Sequence, residues 1–235
     1  MKKFVTCVMF SFLTFGFFNL PSAYAEEYVA PKSYSEMINS GEIDPTQITE
    51  SQWNEFLAKD KADFENYNNA SVPVPTDGGM TEESFQIKSG DILVTDRSGS
   101  LGAGLTGHAA IYVGDGHVIE AKGPKYLSNM YNFSDFKATN TYSYHTIKVY
   151  RSNRDGWGAK AATYAKYHMR NIKYFIDLNA WTKNSTYCSK LIWQSYYYGV
   201  GPSATKYDQQ YQLITPYGVH SDIVGVGYDP VHVYK

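Results

Sequence analysis

Apolar and polar positions alternate most sharply over residues 107–121, GHAAIYVGDGHVIEA, which predicts two short strands joined at Gly114-Asp115-Gly116. An apolar run over 90–95 predicts a buried strand after a turn, and alternation over 144–151 predicts another. Segments 223–228 and 231–234 read as closing strands, with a short extended piece at 174–178. Helical spacing occurs elsewhere. Trp53, Phe56, Leu57 and Phe64 recur on one face over 50–67, with Thr49 or Ser51 placed to cap the start. Trp157, Ala161, Tyr164, Ala165 and His168 do the same over 156–169. Another helix is expected over 188–198, stopped by Gly199 and Gly201-Pro202, and a helical turn over 34–39. The stretch 124–140 has no clear period and is expected to be irregular.

Punctuation divides the chain. Lys2 and Lys3, an apolar run, and Ala23-Tyr24-Ala25 make residues 1–25 a secretory signal, too short for a stable membrane span. Ser, Pro and Gly cluster over 71–79, so 26–80 reads as a helical appendage with a linker and 81–235 as the main folded domain. The appendage could pack on the domain, act as a pro-segment, or space the domain from a surface. A secreted or cell-envelope location follows from the signal.

Composition narrows the classes. The chain is 43% hydrophobic and 19% charged, which fits a folded domain with a core and excludes a disordered chain. The 22 tyrosines suit either the packing of a β-rich secreted protein or a polymer-binding groove. Cleavage of 1–25 removes two lysines and no acid, taking the formal charge from −2 to −4, so nucleic acid is not an expected partner. It also removes Cys7 and leaves Cys188 as the one thiol, which cannot form an internal disulfide.

Cys188 falls where a helix should begin. Unsatisfied backbone N–H groups and the positive dipole end would favour its thiolate there. His108 opens the first hairpin strand, and Glu120 stands among Val118, Ile119 and Ala121, where a carboxylate needs a partner or water. Register decides whether the last two can meet. A two-residue turn at Asp115-Gly116 pairs Glu120 with Ile111, on the face opposite His108. A three-residue turn over 114–116 pairs Glu120 with Ala110, on the face of His108, and Gly116 can supply the left-handed bulge this needs. The three-residue turn is therefore expected.

Residues 107–121 resemble the histidine hairpin of NlpC-type papain-fold peptidases, in which a second polar catalytic residue follows the histidine by twelve positions, the spacing from His108 to Glu120. Gly90-Asp91-Ile92-Leu93 resembles the strand before it. Tyr187-Cys188-Ser189-Lys190 comes after the hairpin instead of before it, an order similar to the circularly permuted branch and closest to the YiiX/YebB-like amidases. The match runs from about residue 85 to 222, with Ile214-Thr215-Pro216 near its end. The resemblance implies an α+β, circularly permuted papain-like fold, with a small antiparallel sheet or barrel packed against the cysteine helix. It implies that Cys188 attacks a carbonyl, His108 carries its proton, and Glu120 orients the ring. The expected activity is amide hydrolysis on a peptide, isopeptide or lysyl amide, such as a peptidoglycan stem peptide, by a monomer without cofactor. Permuted relatives that act on lipids, as acyltransferases or thioesterases, usually carry an Asn-Cys context and a second histidine where Glu120 stands. A third reading is a non-catalytic wall-binding module.

Other residues carry weaker claims. His117 lies beside the turn, Asp115 suits the turn itself, His168 suits helix packing, and His220 is a rival imidazole. The Cys188 backbone N–H is the first candidate oxyanion donor. No zinc pattern occurs, and the 98–107 loop lacks the Lys-Ser/Thr ending of a phosphate loop. Asn69, Asn132 and Asn184 head glycosylation tripeptides of a kind common by chance.

Overall fold

The computed structural model of the chain describes residues 28–72, 85–97, 105–141, 145–206 and 212–235. The signal 1–25, most of the 71–79 linker and most of the 98–107 loop lie outside the described residues.

The N-terminal part folds as α1 (Tyr34–Asn39) and α2 (Glu50–Asn69). Both begin with reciprocal capping boxes, Ser33 with Glu36 and Thr49 with Gln52, which satisfy orphan N–H donors at each start. Trp53, Phe56, Phe64 and Tyr67 of α2 enter the main core together with Met37 of α1. At the far end of α2 the Lys148 ammonium donates to the carbonyls of Tyr67 and Ala70, holding the C-terminus of that helix.

The rest is an antiparallel sheet dressed on both faces. In chain order it comprises β1 (Ile92–Thr95), β2 (His108–Gly114), β3 (His117–Glu120), β4 (Asn129–Asn132), α3 (Phe133–Asn140), β5 (Ile147–Tyr150), α4 (Trp157–His168), β6 (Lys173–Tyr174), β7 (Ser185–Thr186), α5 (Cys188–Val200) and β8 (His232–Tyr234). The strand order is β4-β3-β2-β1-β5-β8, while β6 and β7 form a separate two-strand parallel ribbon. Alternation sorts the side chains. Ile92, Val94, Ala109, Ile111 and Ile119 belong to the core that also holds α4 and α5. Leu93, Ala110, Tyr112, Val118 and Val149 belong to a second cluster with Phe136 of α3. Each buried Ile, Val, Leu or Phe among them contributes about 1.5–3 kcal/mol.

Three sequence expectations need correction. The hairpin tip is a two-residue turn, Asp115-Gly116, with left-handed φ of 51° and 73°. Gly114 pairs with His117, then a bulge shifts the register so that Tyr112 opposes Val118 and Ile111 opposes Ile119. The shift inferred for a longer turn is thus made inside β2, at Val113. The stretch 124–140 is not irregular: it holds β4 and α3. With Phe136 and Asn140 its only buried positions, α3 leaves almost no periodic trace in the sequence and is fixed by packing. The 223–228 segment is not a strand. It makes only isolated bridges, Thr205 with Ile223 and Ser152 with Val226, to two separate segments, so no ladder propagates along it.

Candidate active site

His108 and Glu120 meet on one face of the sheet. Both are buried, and His108 Nε2 lies 2.6 Å from Glu120 Oε2. A bond this short between buried groups is charge-assisted and holds the ring in one orientation. Burial alone would strip the imidazole of its proton. Hydrogen bonding and charge from Cys188 and Glu120 outweigh that and push His108 up to about 10. Since Glu120 occupies Nε2, Nδ1 is left for the sulfur.

Cys188 is the first residue of α5 and His108 the first residue of β2, so the pair meets where these elements begin. Tyr187, the N-cap, supplies no side-chain cap to the helix start. The first-turn N–H groups thus lack a side-chain cap, and the positive end of the helix dipole lies beside the thiol. The Tyr187 hydroxyl accepts from Ile214 N at 3.0 Å, and Ser189 Oγ donates to Ile214 O at 2.7 Å. These two bonds fasten the segment after residue 212 across the first turn. Two positions beyond the thiol, buried Lys190 donates to both carboxylate oxygens of Asp177, at 3.0 and 2.9 Å, and Ser185 Oγ donates to the same carboxylate at 2.6 Å. Burial pulls the Lys190 ammonium below the usual lysine range, while the Asp177 charge opposes that shift.

Two supports of the site have no obvious sequence signal. Lys122 Nζ lies 3.5 Å from Glu120 Oε1 and 3.5 Å from the centre of the Tyr131 ring, so both Glu120 oxygens face a cation or an N–H. Behind His108, Gly107 has φ of +67°, and a Cβ there would lie 2.6 Å from the Tyr217 ring. Thr106 donates to Asp60 of α2, which also accepts from the Tyr28 hydroxyl at 3.1 Å. Burial pushes Asp60 up to about 7. The N-terminal helices thereby grip the residues that lead into His108.

The other histidines have different settings. His220 stacks on Tyr150 at 3.8 Å, and burial drives it down to about 4 against the opposing hydrogen bond to the Tyr217 backbone. His168 packs on Tyr164, His117 is half-buried beside the turn, and Asp115 takes the left-handed turn position. Beside His108 and Glu120 a pocket of about 60 Å³ is lined by Lys122, Tyr131, Phe136 and Asn140. Among the described residues no group of three or more His, Cys, Asp or Glu side chains is placed to hold a metal ion. Nor is any helix among them long and apolar enough to cross a membrane.

Fold and site together define a mixed α/β protein with a thiol, an imidazole and a carboxylate gathered at the ends of a sheet strand and a helix. The chain belongs to the lipoprotein N-acylation protein LnsA-like family, whose model matches residues 61–228. A protein of Bacillus thuringiensis described as an uncharacterized 30.3 kDa protein is 28% identical over 264 residues, 93% of this chain and 93% of that one. The crystal structure of metalloprotein YiiX from Escherichia coli O157:H7 is similar over 61% of this chain and 96% of the other, with 15% identity and a TM-score of 0.46.

Proposed function

We propose that this protein is an exported thiol acyltransferase that moves an acyl group from an ester donor, through a thioester on Cys188, to an amine of a lipoprotein. The observation that carries the reading is the contact of Cys188 with an imidazole pushed up to about 10 and held by Glu120, in a chain of a lipoprotein N-acylation family. The hairpin bearing His108 and Glu120 precedes the thiol helix, which fits a papain-like core in permuted order.

The chemistry follows from the residues. The Cys188 thiolate, paired with the His108 imidazolium, attacks the donor carbonyl and a C–S bond forms. The Cys188 backbone N–H, at the open start of α5, faces the developing oxyanion. The C–O bond breaks, and His108 gives its proton to the departing alkoxide. An amine then attacks the thioester, the C–N bond forms, His108 takes the amine proton, and the thiolate leaves. Glu120 keeps the ring aligned and steadies its positive charge in both halves. The carboxylate third member, where lipid-acting permuted relatives usually carry histidine, favours a second outcome. Attack by the thiolate on a peptide or isopeptide amide, followed by water in place of the amine, makes the same site an amide hydrolase.

One experiment separates them. The mature protein is incubated with a phospholipid donor and a diacylated lipopeptide bearing a free α-amine, and with cell-wall peptides in parallel. Mass spectrometry should find the lipopeptide heavier by one acyl chain and a hydroxylamine-sensitive adduct on Cys188, both absent in Cys188→Ala. Cleaved cell-wall peptides without acyl transfer would replace this reading with the hydrolase. Turnover undiminished in Cys188→Ala would sink both.

A further inference from the structure

The connection between β3 and β4 carries two exposed apolar side chains beside the active site, Tyr126 at 41% and Leu127 at 52% exposure. It is not a loose tip. Ser128 is fully buried and bonded on three sides: its N–H donates to Ile172 O at 2.9 Å, its carbonyl accepts from Asn171 N at 2.6 Å, and its Oγ accepts from Ile172 N at 3.0 Å. Leu127 forms a bridge with Lys173, and Arg170 Nε donates to Asn129 Oδ1 at 3.4 Å. The apolar pair is thus presented on a fixed platform with Lys125, Arg170 and Lys173, all exposed, around it.

Charge and position single this platform out. The chain as a whole is acidic, with formal charge −2. Residues 121–134 contain Lys122 and Lys125 and no acid, and residues 156–187 contain five Lys or Arg and one acid, Asp177, which is buried against Lys190. The platform also joins both halves of the site. Asn129 pairs with Glu120 on one side, while Lys173-Tyr174 pairs with Ser185-Thr186, directly before Tyr187 and Cys188, on the other. The pocket beside His108 and Glu120 is about 60 Å³, well below the roughly 300–1,000 Å³ of sites that engulf a drug-sized ligand. A pocket of that size holds no long acyl chain.

We infer that Lys125, Tyr126, Leu127, Arg170 and Lys173 form a membrane-docking platform that seats the catalytic cleft on an anionic lipid surface; this rests on the acyltransferase reading above. Tyrosine places an apolar ring and a polar hydroxyl at the headgroup level, and leucine dips below it. The cations meet anionic headgroups, an attraction that fades within a Debye length and weakens with salt. Two apolar side chains without a covalent anchor give reversible binding. The donor chain stays in the bilayer while its ester carbonyl rises to Cys188.

Sedimentation of the full mature protein with vesicles tests this. Vesicles containing one-third phosphatidylglycerol should bind it at least ten times more tightly than phosphatidylcholine vesicles, and 0.5 M NaCl should release it. Lys125→Glu/Arg170→Glu/Lys173→Glu should lose that binding at least tenfold, and Leu127→Asp should weaken it severalfold. Each variant should keep the thermal melting profile and the wild-type rate of Cys188 alkylation by iodoacetamide without vesicles. If a charge-reversed variant misfolds, the glutamine triple variant replaces it with the same expectation. Equal binding to both vesicle types, or binding untouched by the triple variant, overturns the platform. So does a dimer broken by the triple variant with no vesicle binding, which would assign the patch to a second copy. Failure of the acyltransferase reading looks different: vesicle binding persists, but no acyl group reaches Cys188.

Discussion

Glu120 faces His108 because Val113 is bulged out of the β2 ladder. Had the pairing of Gly114 with His117 continued unbroken, Glu120 would oppose Ile111 and point into the core under α5. The extra residue moves it opposite Ala110, onto the face of His108, and the two side chains close to 2.6 Å. A single register step therefore decides whether the imidazole has a carboxylate.

Glu120→Gln should discharge that pair. His108 sits at about 10 in the fold against an ordinary 6.5, so its contribution to stability is full below 6.5 and is lost as pH rises through about 10. Without the Glu120 charge, an NMR titration of the His108 ring should move down toward the ordinary value, and the alkaline fall in stability should shift with it. Acyl transfer should drop by about 10²–10⁴-fold. A ring titration unmoved by the substitution would show that Glu120 does not support the imidazolium.

Gly107→Ala tests the approach to His108. A side chain at φ of +67° costs about 1–2 kcal/mol. The added Cβ also meets the Tyr217 ring at 2.6 Å, which adds to the cost. In a chain of this size the melting temperature should fall by about 4 °C or more, read by calorimetry. Because the shift falls on the residue before His108, the Cys188 alkylation rate should fall as well. A variant with wild-type melting would show that the backbone has another way past Tyr217.

The Lys190–Asp177 pair lies under the thiol helix with both partners buried. Asp177→Ala strands a buried ammonium and should cost about 3–5 kcal/mol in urea unfolding. The double change Lys190→Met/Asp177→Leu leaves no orphan charge and should cost less than the single one. The reverse order of stabilities would mean that the ion pair gives more than it costs in desolvation.

Asp60 gives a pH dependence of the opposite kind to a salt-bridged carboxylate. Its folded value of about 7 lies above its ordinary 3.8, so between those limits the native state holds a proton that the unfolded chain has lost. Its contribution makes stability fall as pH rises from about 4 to 7. Asp60→Asn should flatten that slope in urea midpoints measured across the window. A slope identical to wild type would show that Asp60 is already ionised in the fold.

Much of this was legible in the chain. The cap Thr49, the helical turn over 34–39, the helical spacing of Trp53, Phe56 and Phe64, the hairpin, and the thiol at a helix start all follow from short-range rules, and the structure contains each of them. Helix α3 and the missing strand over 223–228 were not legible, because what fixes them is distant. Phe136 needs a sheet face to bury against, and Ile223 and Val226 meet single residues of two separate segments, Thr205 and Ser152, so no ladder forms.

The candidate site divides along the same line. The sequence by itself determined which groups could react: one thiol outside residues 1–25, a histidine opening a strand, and a carboxylate in an apolar run. Only the tertiary structure decided that they meet, that a bulge and not a longer turn sets the register, and that Lys122, Gly107 and Asp60 hold the arrangement. Local rules reach a few residues along the chain, whereas the contacts that tune a proton or aim a ring span 46 residues between Asp60 and Thr106 and 80 between His108 and Cys188. Distances of that kind exist only once the core has closed.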